Sequence, residues 1–268
     1  GQPVPGFVLP DMVKQLETNA DYEKRRADVA AWNKRHEVLK RGIALTPVKF
    51  GISFTLTHLN QAGALVNVYT DGSVGLSHGG TEMGQGLHLK VAQVAARCFG
   101  IGLDRVRVAA TDTSKVPNTS ATAASSGSDL NGMAVKVGCD EIKTRMTRFL
   151  AHAHGVRTRQ IAFRDGSVHV GGVILSFAEA VQACYEGRVG LSAAGYYRTP
   201  GLDWDREKGT GHPFFYFAYG AAITEVVLDT LTGEYRILRA DILHDVGQSL
   251  NPAIDMGQIE GGYVQGVG

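Results

Sequence analysis

Between Leu65 and Cys98 the apolar residues change their period, and the change falls on a glycine-rich turn. Leu65, Val66, Val68 and Tyr69 run into Asp71-Gly72, and Val74 and Leu76 follow. Asp-Gly between apolar runs is the signal of a tight hairpin, so residues 64–77 are expected to form one. Beyond the turn His78-Gly79-Gly80-Thr81-Glu82-Met83-Gly84-Gln85-Gly86, the residues Leu87, Val91, Val94, Ala95 and Cys98 recur at helical spacing. Glycines at such a junction let backbone N–H groups approach a ligand, and the helix start concentrates unpaired donors and positive dipole there. An anionic group is the expected guest. A tight strand-to-helix turn with no ligand has the same composition and stays open as a reading.

The rest of the chain supplies further elements of both kinds. Residues 9–18 and 21–36 read as helices, with Pro10 at a first helical position, Asp21 as a cap and Gly42 as a stop. A β-rich stretch covers 43–56. After a helix ending near Gly100, residues 105–109 alternate like a strand, and a polar loop over 111–127 leads into a helix from about Asp129 to Ala153, capped by Ser128 or Asp129. Asp165-Gly166 and Gly171-Gly172 mark turns of a short hairpin ahead of a helix around Phe177 to Tyr185, and 191–206 reads as loop. Strands are expected over 214–228 and 235–246, joined at Thr232-Gly233, and Asn251-Pro252 opens a last helix. Strands joined mostly as hairpins with helices between them define an α+β architecture, with mixed or antiparallel sheets and packed helices, rather than a doubly wound parallel sheet.

Composition narrows the function. A formal net charge of +1 over 268 residues gives no electrostatic case for nucleic acid or a membrane surface. No apolar run is long enough to span a bilayer, and a signal segment is not expected. The three cysteines, Cys98, Cys139 and Cys184, are isolated, so iron–sulfur or zinc sites are not expected from this chain and a reducing, cytoplasmic setting is.

Four places invite chemistry. The turn has the glycine spacing of a phosphate-binding P-loop, but Gln85 replaces the lysine and Gly86 the hydroxyl residue, which weakens a nucleotide reading. A neutral amide suits a ligand with many polar edges, since Gln donates and accepts. Residues 116–129, rich in Ser, Thr and Ala, read equally as a flexible linker or as a loop gripping an oxyanion at a helix start. In Lys49-Phe50-Gly51-Ile52-Ser53-Phe54-Thr55, Phe54 reads first as core, although an aromatic followed by a hydroxyl also suits a flat heteroaromatic substrate. Asp241, His244 and Asp245 allow a hydrolase-like pairing, but no nucleophile motif completes it.

Taken in order, the motifs resemble a known family. Gly51-Ile52-Ser53-Phe54-Thr55 comes first, then the 78–86 turn, then Pro117-Asn118-Thr119-Ser120 with Thr122-Ala123-Ala124-Ser125. Tyr197-Arg198-Thr199-Pro200, Phe217-Ala218-Tyr219-Gly220, Asp245-Val246-Gly247 and Leu250-Asn251-Pro252-Ala253-Ile254-Asp255 follow. This series resembles the molybdopterin-binding part of the molybdenum hydroxylases, in their xanthine dehydrogenase/oxidase branch, from Lys40 onward; the aldehyde oxidase branch shares much of it. The resemblance implies a helical lead-in over 1–41 and a molybdopterin-binding segment over 42–268, incomplete at its C-terminal end. It implies that Gly84, Gln85 and Gly86 contact the pterin, that Ala123, Ala124, Ser125, Ser126 and Ser128 form a cofactor loop with Ala124 beside the molybdenum, and that Phe54 and Thr55 hold a purine. The implied activity is oxidative hydroxylation of hypoxanthine and xanthine to urate, with electrons passing through Fe–S clusters and FAD to NAD⁺ or O₂. The family's general-base glutamate lies in a Gly-Glu-Pro-Pro segment, and no Glu-Pro occurs here. A catalytic base is therefore expected downstream, and the chain is expected to be inactive without the remaining molybdopterin, FAD and Fe–S domains, in a dimeric enzyme. A non-catalytic module for another phosphorylated cofactor is the alternative.

Overall fold

In the computed structural model, which describes residues 2–116 and 119–268, the chain opens with α1 (Leu9–Asn19) and α2 (Tyr22–Arg35). Gly1 and the Pro117-Asn118 part of the third motif lie outside the described residues. The strand β1 (Leu39–Ile52) is followed by β2 (Gln61–Val68), β3 (Val74–His78), α3 (Leu87–Phe99), β4 (Val106–Val108) and α4 (Gly127–Ala153). Next come β5 (Ile161–Arg164), β6 (Ser167–Val170), β7 (Val173–Ser176), α5 (Phe177–Glu186), β8 (Ser192–Arg198), β9 (Asp203–Asp205) and β10 (Thr210–His212). The long strands β11 (Tyr216–Asp229) and β12 (Tyr235–Asp245) precede α6 (Pro252–Val267). These elements form two compact units, one of residues 1–52, 216–249 and 262–268, the other of 53–215 and 250–261. The lead-in helices thus belong with β1, β11 and β12.

In the first unit an antiparallel sheet runs β1-β11-β12, with Leu39 opposite Asp229 and Ile52 opposite Tyr216. Its small core joins Leu16 and Ala20 to Ala221 and Ile223. Arg25, on α2, forks across the sheet: Nε donates to Glu225 at 3.0 Å and Nη1 to Asp241 at 2.7 Å. Arg239 takes the other oxygen of Asp241 at 2.7 Å. With its carboxylate held by two guanidinium groups, Asp241 does not orient His244, and the hydrolase-like pairing is set aside. Two local expectations change here. Asp21 sits at the start of α2 but in a left-handed conformation (φ 51°) with no side-chain capping bond. Gly42 stops nothing: α2 ends at Arg35 as the backbone turns extended at His36, and Gly42 lies inside β1 opposite Val226.

The second unit is built on a sheet of order β4-β3-β2-β8, in which β2 pairs antiparallel with β3 and β8 while β3 and β4 are parallel. The Asp71-Gly72 hairpin forms as expected, Gly72 taking φ 79°. Val66 and Leu76 of the sheet, Val91 and Phe99 of α3, and Leu130, Ile142, Met146 and Leu150 of α4 share one continuous core. Beside it lies the meander β5-β6-β7, which runs into α5 through a Ser176–Glu179 capping box. Mixed and antiparallel sheets with helices packed on them make this the α+β architecture expected.

The segment 191–206 is not the loop its composition suggests, since β8 pairs with β2 from Gln61–Arg198 to Asn67–Ser192. The sequence conceals it because Ala193, Ala194 and Gly195 give no strong apolar alternation. Their smallness has a cause. A Cβ on Gly195 would lie 1.9 Å from the Ala134 carbonyl oxygen and 2.7 Å from the Gly138 nitrogen, so α4 rests directly on the strand backbone. Overpacking against backbone, which cannot yield as a side chain can, makes Gly195→Ala cost ~3 kcal/mol or more. Thermal unfolding checks this against Gly201→Ala, where φ is 68° but no atom lies within 4 Å of the new methyl; there ~1 kcal/mol of backbone strain is expected.

Candidate functional site

The glycine turn connects β3 to α3, and its glycines have different tasks. Gly79 and Gly80 leave room for protein: a Cβ on Gly79 would strike Thr119 Cγ2 at 1.9 Å, and one on Gly80 would strike Leu87 at 2.6 Å and Asn131 at 2.8 Å. Gly84 and Gly86 are left-handed, with φ 99° and 72°, and Gly84 faces open space. The start of α3 already holds an anion, the carboxylate of Glu82. One oxygen accepts from the Gly84 and Gly86 amides at 3.0 and 2.9 Å, the other from His88 N at 3.0 Å. Partial burial pushes this carboxyl upward, but the three amides and the nearby His88 outweigh it and hold Glu82 below the usual carboxylate range. Gln85 completes the turn, its Oε1 accepting from Met83 N at 2.6 Å and its Nε2 donating to Thr81 O at 2.9 Å. A free phosphate therefore finds the amides expected to bind it in use. One N–H and one lone pair of the Gln85 amide remain outside these two bonds.

The Ser/Ala loop is an ordered turn rather than a linker. Ala124 and Ser125 are successive left-handed residues, φ 57° and 55°, a conformation that costs non-glycine residues ~1–3 kcal/mol each and persists only where the surroundings impose it. The buried Ser126 folds its hydroxyl onto the Ala123 carbonyl at 3.1 Å. Ser126 is also the residue that precedes α4, and it makes no side-chain capping bond. Neither Ser128 nor Asp129 is the cap, because α4 begins one residue earlier than Ser128 at Gly127. The two helix starts thus differ: the Glu82 carboxylate sits on one, while at the other the N-cap residue Ser126 makes no side-chain capping bond.

Phe54 and Thr55 lie on a third loop, wound around the buried Asn60. Asn60 Oδ1 accepts from Phe54 N at 2.8 Å, and its Nδ2 donates to the Phe54 carbonyl at 2.9 Å. Phe54 is half-buried and Thr55 exposed. Just before them Ser53, buried and with φ 145°, holds a conformation that ordinarily belongs to glycine.

These three segments meet. Thr122 Oγ1 accepts from Thr81 N at 2.9 Å, joining the Ser/Ala loop to the glycine turn. Ser120 donates its hydroxyl to the Leu59 carbonyl, joining it to the Phe54 loop. Leu87, the first residue of α3, lies 3.6 Å from where a Gly127 Cβ would be, so the two helix starts are neighbours. Glu82, Asn60 and Thr122 carry much of this geometry; Glu82 and Thr122 stand inside the motifs without an assigned role, and Asn60 lies outside them. An acidic residue just ahead of a helix was the available signal for Glu82; the other two act over distances the sequence does not reveal. Among the described residues, no group of three or more His, Cys, Asp or Glu side chains is placed to hold a metal ion, and no helix is long and apolar enough to cross a membrane.

The chain matches a family model described as the molybdopterin cofactor-binding domain over residues 15–268. The chain belongs to that family. It is 48% identical to xanthine dehydrogenase of Oryza sativa subsp. japonica, across 100% of this chain and 18% of that protein. To xanthine dehydrogenase/oxidase of Mus musculus it is 46% identical, across 100% of this chain and 19% of the relative. The chain therefore spans under a fifth of the length of these curated relatives. Among solved structures, the aldehyde oxidoreductase of Desulfovibrio desulfuricans superposes with a TM-score of 0.77 at 27% identity, covering 100% of this chain and 26% of that one. Quinoline 2-oxidoreductase of Pseudomonas putida, at 23% identity and a TM-score of 0.78 over 95% of this chain and 33% of that one, shares the fold.

The internal cap makes a pH-dependent prediction. Glu82→Ala uncovers the start of α3 and costs ~1 kcal/mol near neutral pH. Because the folded carboxyl lies below its unfolded value, its contribution is complete above the unfolded pKa and disappears as pH falls through the folded one. Melting temperatures of wild type and Glu82→Ala should differ at pH 7 and converge at strongly acidic pH. A difference that persists unchanged into acid would assign Glu82 a role other than capping.

Proposed function

We propose that this chain is the molybdopterin-gripping part of a larger molybdenum hydroxylase that oxidatively hydroxylates purines, hypoxanthine and xanthine to urate. The observation that carries the reading is the Ser/Ala loop, whose left-handed pair at Ala124 and Ser125 leads into a helix start where Ser126 makes no side-chain capping bond, and whose Thr122 and Ser120 tie it to the Gln85 turn and the Phe54 loop. The donor set fits an extended polar cofactor better than a nucleotide phosphate. The turn offers a partly committed glutamine instead of a lysine, and its helix-start amides are held by Glu82. Gln85 would hold the pterin edge with its spare N–H and lone pair, with Gly84 and Gly86 keeping the backbone close. Ala123, Ala124, Ser125, Ser126 and Ser128 would supply amides and hydroxyls, and the single methyl of Ala124 would leave space beside the molybdenum.

When bound, the cofactor supplies a redox metal able to accept electrons from the substrate. The chain's own residues bind and orient: the Phe54 ring would stack on the purine and the exposed Thr55 hydroxyl would hydrogen-bond its edge. The general-base glutamate, the Fe–S clusters and the FAD are assigned to other parts of the enzyme, which delivers electrons to NAD⁺ or O₂, and we place it in the cytoplasm as a dimer. Identities of 46–48% to xanthine dehydrogenases, against 27% to an aldehyde oxidoreductase, favour purine over aldehyde.

In the assembled enzyme, Gln85→Ala should lower molybdenum and pterin per folded polypeptide several-fold while leaving the melting temperature within a few degrees. A collapse of stability with unchanged cofactor content would make Gln85 structural. Purified enzyme should contain one molybdenum per chain and reduce an electron acceptor with xanthine. Stabilisation by ATP in a molybdenum-free preparation would favour the nucleotide-binding alternative instead.

A further inference from the structure

We infer that His78 and Asn131 are positioning residues, a buried polar brace that sets the spacing between the glycine turn and the Ser/Ala loop. The inference rests on the cofactor-binding reading of those loops for its functional meaning, and on hydrogen bonds and close packing for its geometry. Gly80 N donates to His78 Nδ1 at 3.1 Å, so Nδ1 is an acceptor and the neutral ring carries its hydrogen on Nε2. The Asn131 amide packs against Gly80 itself: a Cβ built there would come within 2.8 Å of its Nδ2 and 3.0 Å of its Cγ. Among the described residues, neither His78 Nε2 nor Asn131 Oδ1 has a hydrogen-bond partner. Asn131 Nδ2 donates to the Gly127 carbonyl at 2.8 Å. Gly80 lies in one loop and Gly127 closes the other, so the chain of contacts runs from loop to loop through the interior. His78 is 1% exposed and Asn131 4%. Buried polar groups of this kind are costly unless satisfied, and they fix one arrangement of their partners.

The surroundings act in the same sense. Thr111 Oγ1 lies 3.2 Å from the His78 carbonyl oxygen and 3.1 Å from that of Gly80. The His88 ring stands edge-on to His78 with centroids 5.1 Å apart, and its Nε2 lies 3.1 Å from the Gly80 carbonyl oxygen, as donor. Among the described residues, His88 is the ionisable group acting on the His78 ring. Burial pulls that ring down to about 4, His88 adds to the effect, and Asn131 opposes it. Adding a proton to Nδ1 removes the acceptor for Gly80 N, so protonation opens the brace. The ring's ordinary value is 6.5, hence the brace is complete above that pH and weakens as pH falls from 6.5 toward about 4.

The test uses the assembled enzyme, with and without its cofactor, in wild type, Asn131→Leu, His78→Asn and the double variant. His78→Asn keeps an acceptor for Gly80 N but removes the imidazole ring. Hydrogen exchange in the cofactor-free enzyme should show residues 79–86 and 122–127 losing protection together, about tenfold or more in each single variant, with no further loss in the double. Loss in one segment only, or multiplied losses in the double, would overturn the brace. Molybdenum and pterin content then separates the two claims. Joint loss of protection with full cofactor content keeps the brace and overturns the cofactor reading of these loops; lowered content with unchanged protection does the reverse. If the variants fail to fold, wild type suffices: after correction for intrinsic exchange, both segments should lose protection in parallel by up to about tenfold per pH unit between 6.5 and 4. Independent or absent titration there contradicts the inference.

Discussion

The Thr122 hydroxyl accepts the Thr81 amide at 2.9 Å, and two residues earlier the Ser120 hydroxyl reaches the Leu59 carbonyl. Through these short side chains one loop holds two others, and the whole candidate site depends on them. Side-chain-to-backbone bonds of this kind can connect segments far apart in sequence without building another strand between them. They also explain why Gly79 must lack a Cβ: Thr119 occupies the space that any side chain there would need. The glycines that look like a ligand cradle serve first as the clearance that lets two loops touch.

The neighbouring helix starts divide the electrostatic work. At α3 the Gly86 and His88 amides, with that of Gly84 ahead of them, are satisfied inside the chain by Glu82, and the turn presents the Gln85 side chain beside them. At α4 the N-cap residue Ser126 makes no side-chain capping bond, and the preceding residues Ala124 and Ser125 hold a strained backbone. On the proposed reading, a bound polar group at the Ser/Ala loop would meet helix-start amides that Ser126 leaves open, and Gln85 would add a directional contact.

Much of this was legible in the residues. The Asp71-Gly72 hairpin, the period of α3 and the Asn251 cap, whose Oδ1 accepts from Ile254 N at 3.2 Å, are local events written in local sequence. What escaped is non-local. β8 is hidden because its residues are small, and they are small because α4 packs onto their backbone. Ser126 in place of Ser128 or Asp129 before α4 reflects the left-handed pair ahead of it, which no propensity for alanine or serine foretells. Gly42 looked like a helix stop, yet α2 ends at Arg35 without it, where Trp32 stacks on His36 at 3.7 Å. The site residues were found as separate motifs; that a threonine and a serine tie them together is a property of the fold.

The central claim is that the Gln85 turn and the 123–128 loop grip a single pterin between them. A high-resolution density map of the cofactor-loaded enzyme tests it most directly. The account predicts pterin atoms within hydrogen-bond distance of both the Gln85 amide and the backbone of the Ser/Ala loop, with the Glu82 carboxylate still on its three amides. A pterin seated elsewhere, or one touching a single loop while the other faces solvent, would contradict it.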